Sequence, residues 1–131
     1  MKIDFANLQK QYKVYKEEID YKIHTVLNKG NYILGDEVLD LEANLEKFTG
    51  SANCISCSNG TDALILALMA IDIKPGDEVI TTPYTYIATS ETIAFLKAVP
   101  VFADVNKDTF NINESSLGSL ISNKTKAIMP V

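Results

Sequence analysis

Two short polar stretches carry the side chains that are best suited to hold a ligand. The first, residues 58–61, reads Ser-Asn-Gly-Thr and separates an apolar run from a nearly uncharged one. The second, residues 81–89, reads Thr-Thr-Pro-Tyr-Thr-Tyr-Ile-Ala-Thr. Hydroxyl groups beside a glycine favour contact with an anion, and tyrosine rings favour contact with a planar group.

The first stretch lies where a helix is predicted to begin after a strand. The first N–H groups of a helix have no partners inside it and carry the positive end of its dipole, so they can bind an anion. Gly60 lets an anion approach the backbone, and Thr61 adds a hydroxyl donor. Asp62 would repel a phosphate, so it is expected to point aside. Helix capping by Ser, Asn or Thr is the alternative, although capping does not require Gly60.

The second stretch also follows a predicted strand. Tyr84 and Tyr86 offer flat faces on which a planar ligand could stack, and packing into the core is the alternative. Ligands of α/β proteins bind at the carboxyl ends of strands. The two stretches together therefore favour one position for a phosphate and one for a ring.

Cys54 and Cys57 form a C-x-x-C pattern, which raises a redox or zinc interpretation. Zinc needs about four ligands, and the chain has no second cysteine pair and one histidine, His24. A redox pair usually lies at the start of a helix, whereas this pair precedes the turn in a predicted strand. Two buried free thiols are the favoured interpretation, and His24 is expected at the surface or at its boundary with the core.

The order of the predicted elements indicates the fold class. Two helices come first, with apolar stripes that run from Leu8 to Leu27 and from Val38 to Phe48, and Gly30 and Gly50 end them. Strands and helices then alternate, which indicates an α/β domain with a mostly parallel sheet. Strands are predicted near 53–57, 78–82, 100–104 and 126–131, and helices near 61–71, 87–97 and 114–121.

Length and composition limit the classes of function. The chain has 131 residues, 47% hydrophobic and 22% charged, which is ordinary for one globular domain with a core. The net charge of −5 argues against a nucleic acid partner, because such a partner needs a basic surface. No apolar run reaches membrane-spanning length and no signal core is seen, so a cytoplasmic location is expected.

Five segments, in this order, resemble the N-terminal part of the DegT/StrS sugar aminotransferases: "GNYILGDEVLDLE", "CISCSNGTDAL", "PGDEVITTPYTYIATSETI", "PVFADVNKDTFNIN" and "TKAIMPV". These are pyridoxal-phosphate enzymes of fold type I that aminate nucleotide-linked keto sugars. The resemblance implies that residues 1–131 form an N-terminal segment and part of the large cofactor-binding domain. "YILG" and "CISC" resemble a subgroup that acts on a UDP-linked keto-uronic acid for surface polysaccharide.

The resemblance also implies roles for five residues. Gly60 and Thr61 would bind the phosphate of pyridoxal 5'-phosphate, and Tyr86 would stack on its ring. Gly30 and Tyr32 match positions that contact the nucleotide sugar. The family builds its active site at a homodimer interface, so these residues could serve the neighbouring subunit.

No lysine here matches the family's Schiff-base lysine, which would lie beyond Val131. The chain is therefore expected to be a piece of an enzyme, without transaminase activity of its own and with an incomplete sheet. In the family's arrangement, the strand near 53–57 lacks its neighbour while the three later strands pair with one another. Association, aggregation or a fold that differs from the family's is therefore expected. The family mechanism is ping-pong transamination with glutamate as donor. An inactive cofactor- or partner-binding remnant is the second interpretation, and a redox protein is the third.

Overall fold

The computed structural model describes residues 5–131. It divides the chain into two compact units, the first ending at Ser56 and the second beginning at Cys57. In the described residues no helix is both long enough and apolar enough to cross a lipid bilayer.

The first unit contains two helices, α1 (Leu8–Lys29) and α2 (Asp36–Thr49). Asn7 caps the start of α1 by accepting a hydrogen bond from the N–H of Lys10. Gly30 and Gly50 follow the two helices in the left-handed conformation, with φ of 68° and 72°. Glycine adopts this conformation without the steric cost that a Cβ brings, so both helix ends lie where the sequence predicts them.

The apolar stripes of α1 and α2 are mostly exposed within the described residues. Neither helix has a buried residue. Ile23 is 51% exposed and Phe48 is 88% exposed. His24 is also exposed, as expected, and its Nδ1 lies 2.7 Å from the carbonyl oxygen of Asp20.

The prediction of a strand near residues 53–57 is wrong. This segment has no regular secondary structure and pairs with none of the strands that the structure describes. Side chains of α2 bind its backbone instead: the N–H of Cys54 donates to Glu46 and the N–H of Ser56 donates to Glu42. A strand requires backbone partners, and here carboxylates take that place.

The second unit is an α/β structure around a three-stranded parallel sheet. Its strands are β1 (Glu78–Thr81), β2 (Val99–Phe102) and β3 (Thr125–Ile128), in the order β2-β1-β3. The predicted α/β class and the pairing of the three later strands are confirmed. Its helices are α3 (Gly60–Ala70), α4 (Ala88–Phe95) and α5 (Glu114–Leu120).

The core of the second unit lies on both faces of the central strand, β1. Val79 and Ile80 of β1 and Ile93 of α4 have no exposed surface. Burying one such side chain stabilises a fold by about 1.5–3 kcal/mol. Thr81 is equally buried, and its hydroxyl donates to the carbonyl oxygen of Met129, 2.9 Å away. This bond removes the cost of burying a polar group and ties β1 to the residue that follows β3.

Candidate functional site

The turn before α3 is capped by its own side chains. Asn59 has an extended backbone, and its Oδ1 accepts a hydrogen bond of 2.9 Å from the N–H of Asp62. The carboxylate of Asp62 in turn accepts from the hydroxyl of Ser58 and from the Asn59 amide. Capping, the more ordinary interpretation of this turn, is therefore present in the structure.

Capping leaves two donors of the same turn open. Within the described part of the chain, no acceptor binds the backbone N–H groups of Gly60 and Thr61. A Cβ built on Gly60 meets no atom within 4 Å, and its φ lies outside the left-handed region. Neither backbone conformation nor internal packing therefore requires a glycine here. The position faces open space next to two free donors at the positive end of a helix, which suits an anion.

The second polar stretch uses most of its hydroxyls inside the unit. Thr81 and Thr82 are buried, and the Thr82 hydroxyl accepts from the N–H of Tyr84 at 3.2 Å. The hydroxyls of Thr85 and Thr89 are 3.3 Å apart. These bonds fix the chain between β1 and α4 rather than offering groups to a ligand.

The two tyrosines of this stretch differ in what they contact. The ring of Tyr84 lies 5.7 Å from that of Phe110, tilted by 33°. Tyr86 is 75% exposed and makes no ring contact in the part of the chain that the structure describes. It lines an open pocket of about 180 Å³ together with Pro83 and Phe102. Tyr86 is therefore the tyrosine with a ring face free for a planar ligand.

The connector between α1 and α2 holds the other two predicted residues, Gly30 and Tyr32, in the first unit. Gly30 caps α1, and its N–H donates to Val26. Tyr32 is 65% exposed, and its hydroxyl lies 3.4 Å from the carbonyl oxygen of Leu27. The left-handed φ by itself explains the glycine at position 30, while the exposed Tyr32 ring is open to a ligand.

Backbone conformation and ion pairs that the sequence pattern does not indicate stabilise this connector, residues 30–35. Leu34 has a left-handed φ of 48°, and a Cβ on Gly35 would lie 2.8 Å from the carbonyl oxygen of Asn31. Lys29 forms ion pairs with Asp36 at 3.2 Å and with Glu37 at 3.1 Å. The pKa of the Glu37 carboxyl lies below its usual value. The hydrogen bond from its own backbone N–H is the main cause, and the hydrogen bond from Lys29 is the second.

The cysteines are free but not both buried, so that part of the prediction is wrong. Cys54 is half-buried and Cys57 is exposed. Because residues 53–57 are outside the sheet, no layer covers Cys57, whose Sγ lies 3.3 Å from the carbonyl oxygen of Asn59. Residues 5–131 contain no cluster of three or more side chains arranged to hold a metal ion.

Comparison with known proteins decides the family. Residues 13–131 match the model of the DegT/DnrJ/EryC1/StrS aminotransferase family. The chain belongs to this family. The expected resemblance is therefore confirmed, over nearly the whole chain.

Two curated relatives show what this chain is similar to. It is 49% identical over 129 residues to the UDP-2-acetamido-2-deoxy-3-oxo-D-glucuronate aminotransferase of Pseudomonas aeruginosa, covering 98% of this chain and 36% of that protein. It is 41% identical over 131 residues to a "Pleiotropic regulatory protein" of Geobacillus stearothermophilus, covering 100% of this chain and 35% of that protein. The chain thus spans about a third of the length of these relatives.

Solved structures confirm the fold. An aminotransferase of this family from Brucella abortus superposes with a TM-score of 0.93 at 35% identity, over 98% of this chain and 36% of that one. The NtdA protein of Bacillus subtilis, solved with bound cofactor PMP, gives 0.93 at 29% identity, over 98% and 30%. The predicted fold, that of the pyridoxal-phosphate-dependent aminotransferases, is borne out by these superpositions.

Proposed function

We propose that this chain supplies the N-terminal part of the cofactor-binding domain of a pyridoxal-phosphate-dependent sugar aminotransferase. The substrate is a nucleotide-linked keto sugar, with a UDP-sugar favoured, and glutamate is the amino donor. The product serves surface polysaccharide biosynthesis in the cytoplasm. The observation that carries this proposal is the pair of backbone N–H groups at Gly60 and Thr61 that have no acceptor in the described residues, beside the open Cβ position of Gly60, in a chain 49% identical to a UDP-sugar aminotransferase.

Gly60 and Thr61 bind the cofactor phosphate. Their N–H groups donate to phosphate oxygens, and the helix dipole of α3 adds a favourable field. The Asn59 cap leaves these donors free because it is used on the N–H of Asp62. The Asp62 carboxylate is held by Ser58 and Asn59, so its negative charge is partly matched by donors of the turn.

Tyr86 holds the cofactor ring. Its exposed face at the open pocket beside α4 gives a planar ring an aromatic surface without any rearrangement of the core. The cofactor, when bound, acts as the electron sink through which an amino group is exchanged. The residues of this chain bind and orient it.

Gly30 and Tyr32 contact the nucleotide sugar. The braced connector keeps the Tyr32 ring exposed, and Gly30 leaves space beside it because nothing lies within 4 Å of the position of its Cβ. As the family resemblance implies, the complete site forms in a homodimer.

The 131 residues hold the cofactor without turning it over. Lys74 pairs with Asp72 in a turn, Lys97 follows α4 with a left-handed φ of 61°, and Lys126 lies on β3. None of these three matches the family's Schiff-base lysine.

A second candidate is binding without catalysis. The "Pleiotropic regulatory protein" of Geobacillus stearothermophilus is 41% identical to this chain, which favours a regulatory role over the redox alternative. In that case the same phosphate turn holds a cofactor or a partner, and no amino group is transferred.

The test is an NMR titration of the ¹⁵N-labelled chain with inorganic phosphate and then with pyridoxal phosphate. Phosphate should shift the amide signals of Gly60 and Thr61, and pyridoxal phosphate should also shift the ring signals of Tyr86. No shift at Gly60 and Thr61 at millimolar phosphate would contradict the proposal. Assay of the complete reading frame that contains this chain, with glutamate and a UDP-linked 3-keto sugar, separates the enzyme from the regulatory alternative.

A further inference from the structure

Two carboxylates of α2 bind the backbone of residues 54–56, which precede the proposed phosphate-binding turn at residues 58–61. The Oε1 atom of Glu42 accepts from the N–H of Ser56 at 2.7 Å and from its hydroxyl at 2.8 Å. The Oε1 atom of Glu46 accepts from the N–H of Cys54 at 2.9 Å. Bonds in which the acceptor is ionised are stronger than those between neutral groups.

The spacing of these bonds fits the geometry of both elements. Residues four apart on a helix lie about 6 Å apart along its axis. Residues two apart in extended chain lie about 6.6 Å apart and direct their N–H groups to the same side. The spacing of Glu42 and Glu46 is therefore close to that of the two N–H groups that they bind. Glu42 binds Ser56 and Glu46 binds Cys54, so the two segments run antiparallel, as two neighbouring strands can.

The burial pattern of α2 agrees with this arrangement. Glu42 and Glu46 are partly covered, whereas the apolar residues Leu41, Leu45 and Phe48 are exposed. The N–H of Ser56, followed by its hydroxyl, lowers the pKa of the Glu42 carboxyl, so Glu42 is ionised at neutral pH. On this half of α2 the charged residues, not the leucines, face the protein's own chain.

We infer that Glu42, assisted by Glu46, is a positioning residue for the cofactor phosphate: it fixes residues 54–56 and thereby orders the chain that enters the Gly60–Thr61 turn. This inference rests on the proposed function. Ser56 lies two residues before Ser58. Greater conformational freedom of the backbone at Ser56 therefore increases the conformational freedom of the turn at residues 58–61. A disordered turn must be ordered when the phosphate binds, and that entropy cost lowers the affinity.

The experiment compares the unaltered chain with Glu42→Ala, Glu42→Gln and Asp40→Ala. Asp40→Ala is the matched control, because it removes a carboxylate from the exposed part of the same helix. Amide hydrogen exchange is measured at Ser56, and phosphate affinity is measured from the Gly60 and Thr61 signals. Unchanged β1 signals show that each variant keeps the fold of the second unit.

Glu42→Ala should speed exchange at Ser56 by about tenfold and weaken phosphate binding severalfold. Glu42→Gln should restore most of both, because its amide oxygen still accepts the two bonds, and Asp40→Ala should change neither. Faster exchange with unchanged phosphate affinity would overturn the positioning role, and unchanged exchange would overturn the bond itself. Absence of phosphate shifts in the unaltered chain would instead contradict the proposed function.

Discussion

The two polar stretches of this chain have similar residue types but use them in opposite ways. At residues 81–89 the threonine hydroxyls turn inward, where Thr81 bonds to Met129 and Thr82 to Tyr84. At residues 58–61 the side chains cap the turn, and the backbone N–H groups of Gly60 and Thr61 have no acceptor in the described part of the chain.

This difference follows from what precedes each stretch. Residues 81–89 leave the central strand of the sheet, so buried neighbours on both sides take up their polar groups. Residues 58–61 follow a segment outside the sheet, in which carboxylates of α2 bind the N–H groups of Cys54 and Ser56. When a stretch is anchored in a core, the groups that remain available to a ligand are those outside the core, here the ring of Tyr86. A stretch outside the core keeps its backbone donors available.

The largest effect that tests this comparison concerns two isoleucines that precede the two stretches. Ile80 has no exposed surface, whereas Ile55 is 84% exposed. Ile80→Ala should lower the free energy of unfolding by about 2–5 kcal/mol through lost burial and a cavity. Ile55→Ala should lower it by less than about 0.5 kcal/mol. Denaturant unfolding of the 131-residue chain measures both.

Equal costs for the two isoleucine variants would mean that Ile55 is covered in solution. Sedimentation would then show whether a second copy of the chain covers it, as the expected tendency to associate implies. A monomer with equal costs would contradict the contrast between the two stretches.

The next effect concerns two glycines, Gly60 at the proposed anion site and Gly76 in a turn with a left-handed backbone conformation. Gly60→Ala should leave stability within about 0.5 kcal/mol, because the added methyl meets nothing, yet weaken phosphate binding by about tenfold by blocking approach to the backbone. Gly76 has φ of 88°, so Gly76→Ala should cost about 1–2 kcal/mol of stability and leave phosphate affinity unchanged. Unfolding curves and phosphate titrations check both variants, and a phosphate affinity that Gly60→Ala leaves intact would argue against the anion site.

A smaller effect separates the two tyrosines. Tyr86→Ala should weaken pyridoxal phosphate binding by roughly 2–10-fold, the loss expected for one aromatic stacking contact, without changing affinity for inorganic phosphate. Tyr84→Ala loses the contact with Phe110 and should act on stability instead. Fluorescence titration with the two ligands distinguishes these outcomes, and equal weakening of both ligands by Tyr86→Ala would count against a ring contact.

The smallest effect is a dependence on pH that is expected in the segment before the first stretch and not in the second stretch. The Ser56 N–H keeps the pKa of Glu42 below its usual value, so the ionised carboxylate holds this segment above the usual pKa. The hold is lost as the pH falls through this lowered pKa. The amide shift of Ser56 should follow this titration, while that of Tyr84, bound by the Thr82 hydroxyl, should not. Titration of both signals together, or of neither, would contradict the contrast.

Much of the fold could be predicted because its signals are local. Gly30 and Gly50 end helices through their own conformational freedom, and the alternation of strands and helices after residue 78 needs no knowledge of contacts. The prediction of a strand near 53–57 is wrong because a strand depends on pairing with another strand, which residue types alone do not reveal. In the structure, Glu42 and Glu46 bind this backbone instead. The prediction that Cys57 is buried is wrong for the same reason, because it depends on that strand being part of the sheet.

The sequence by itself determined the α/β class, the ends of the first two helices and the family, because periodicity, glycines and ordered motifs are properties of the chain alone. Only the tertiary structure decided which tyrosine keeps a free ring and which donors of residues 58–61 stay open. It alone also assigned Glu42 and Glu46 to Ser56 and Cys54. These outcomes depend on which groups meet across the folded chain, since a hydrogen-bonding group already used inside the protein is no longer available to a ligand.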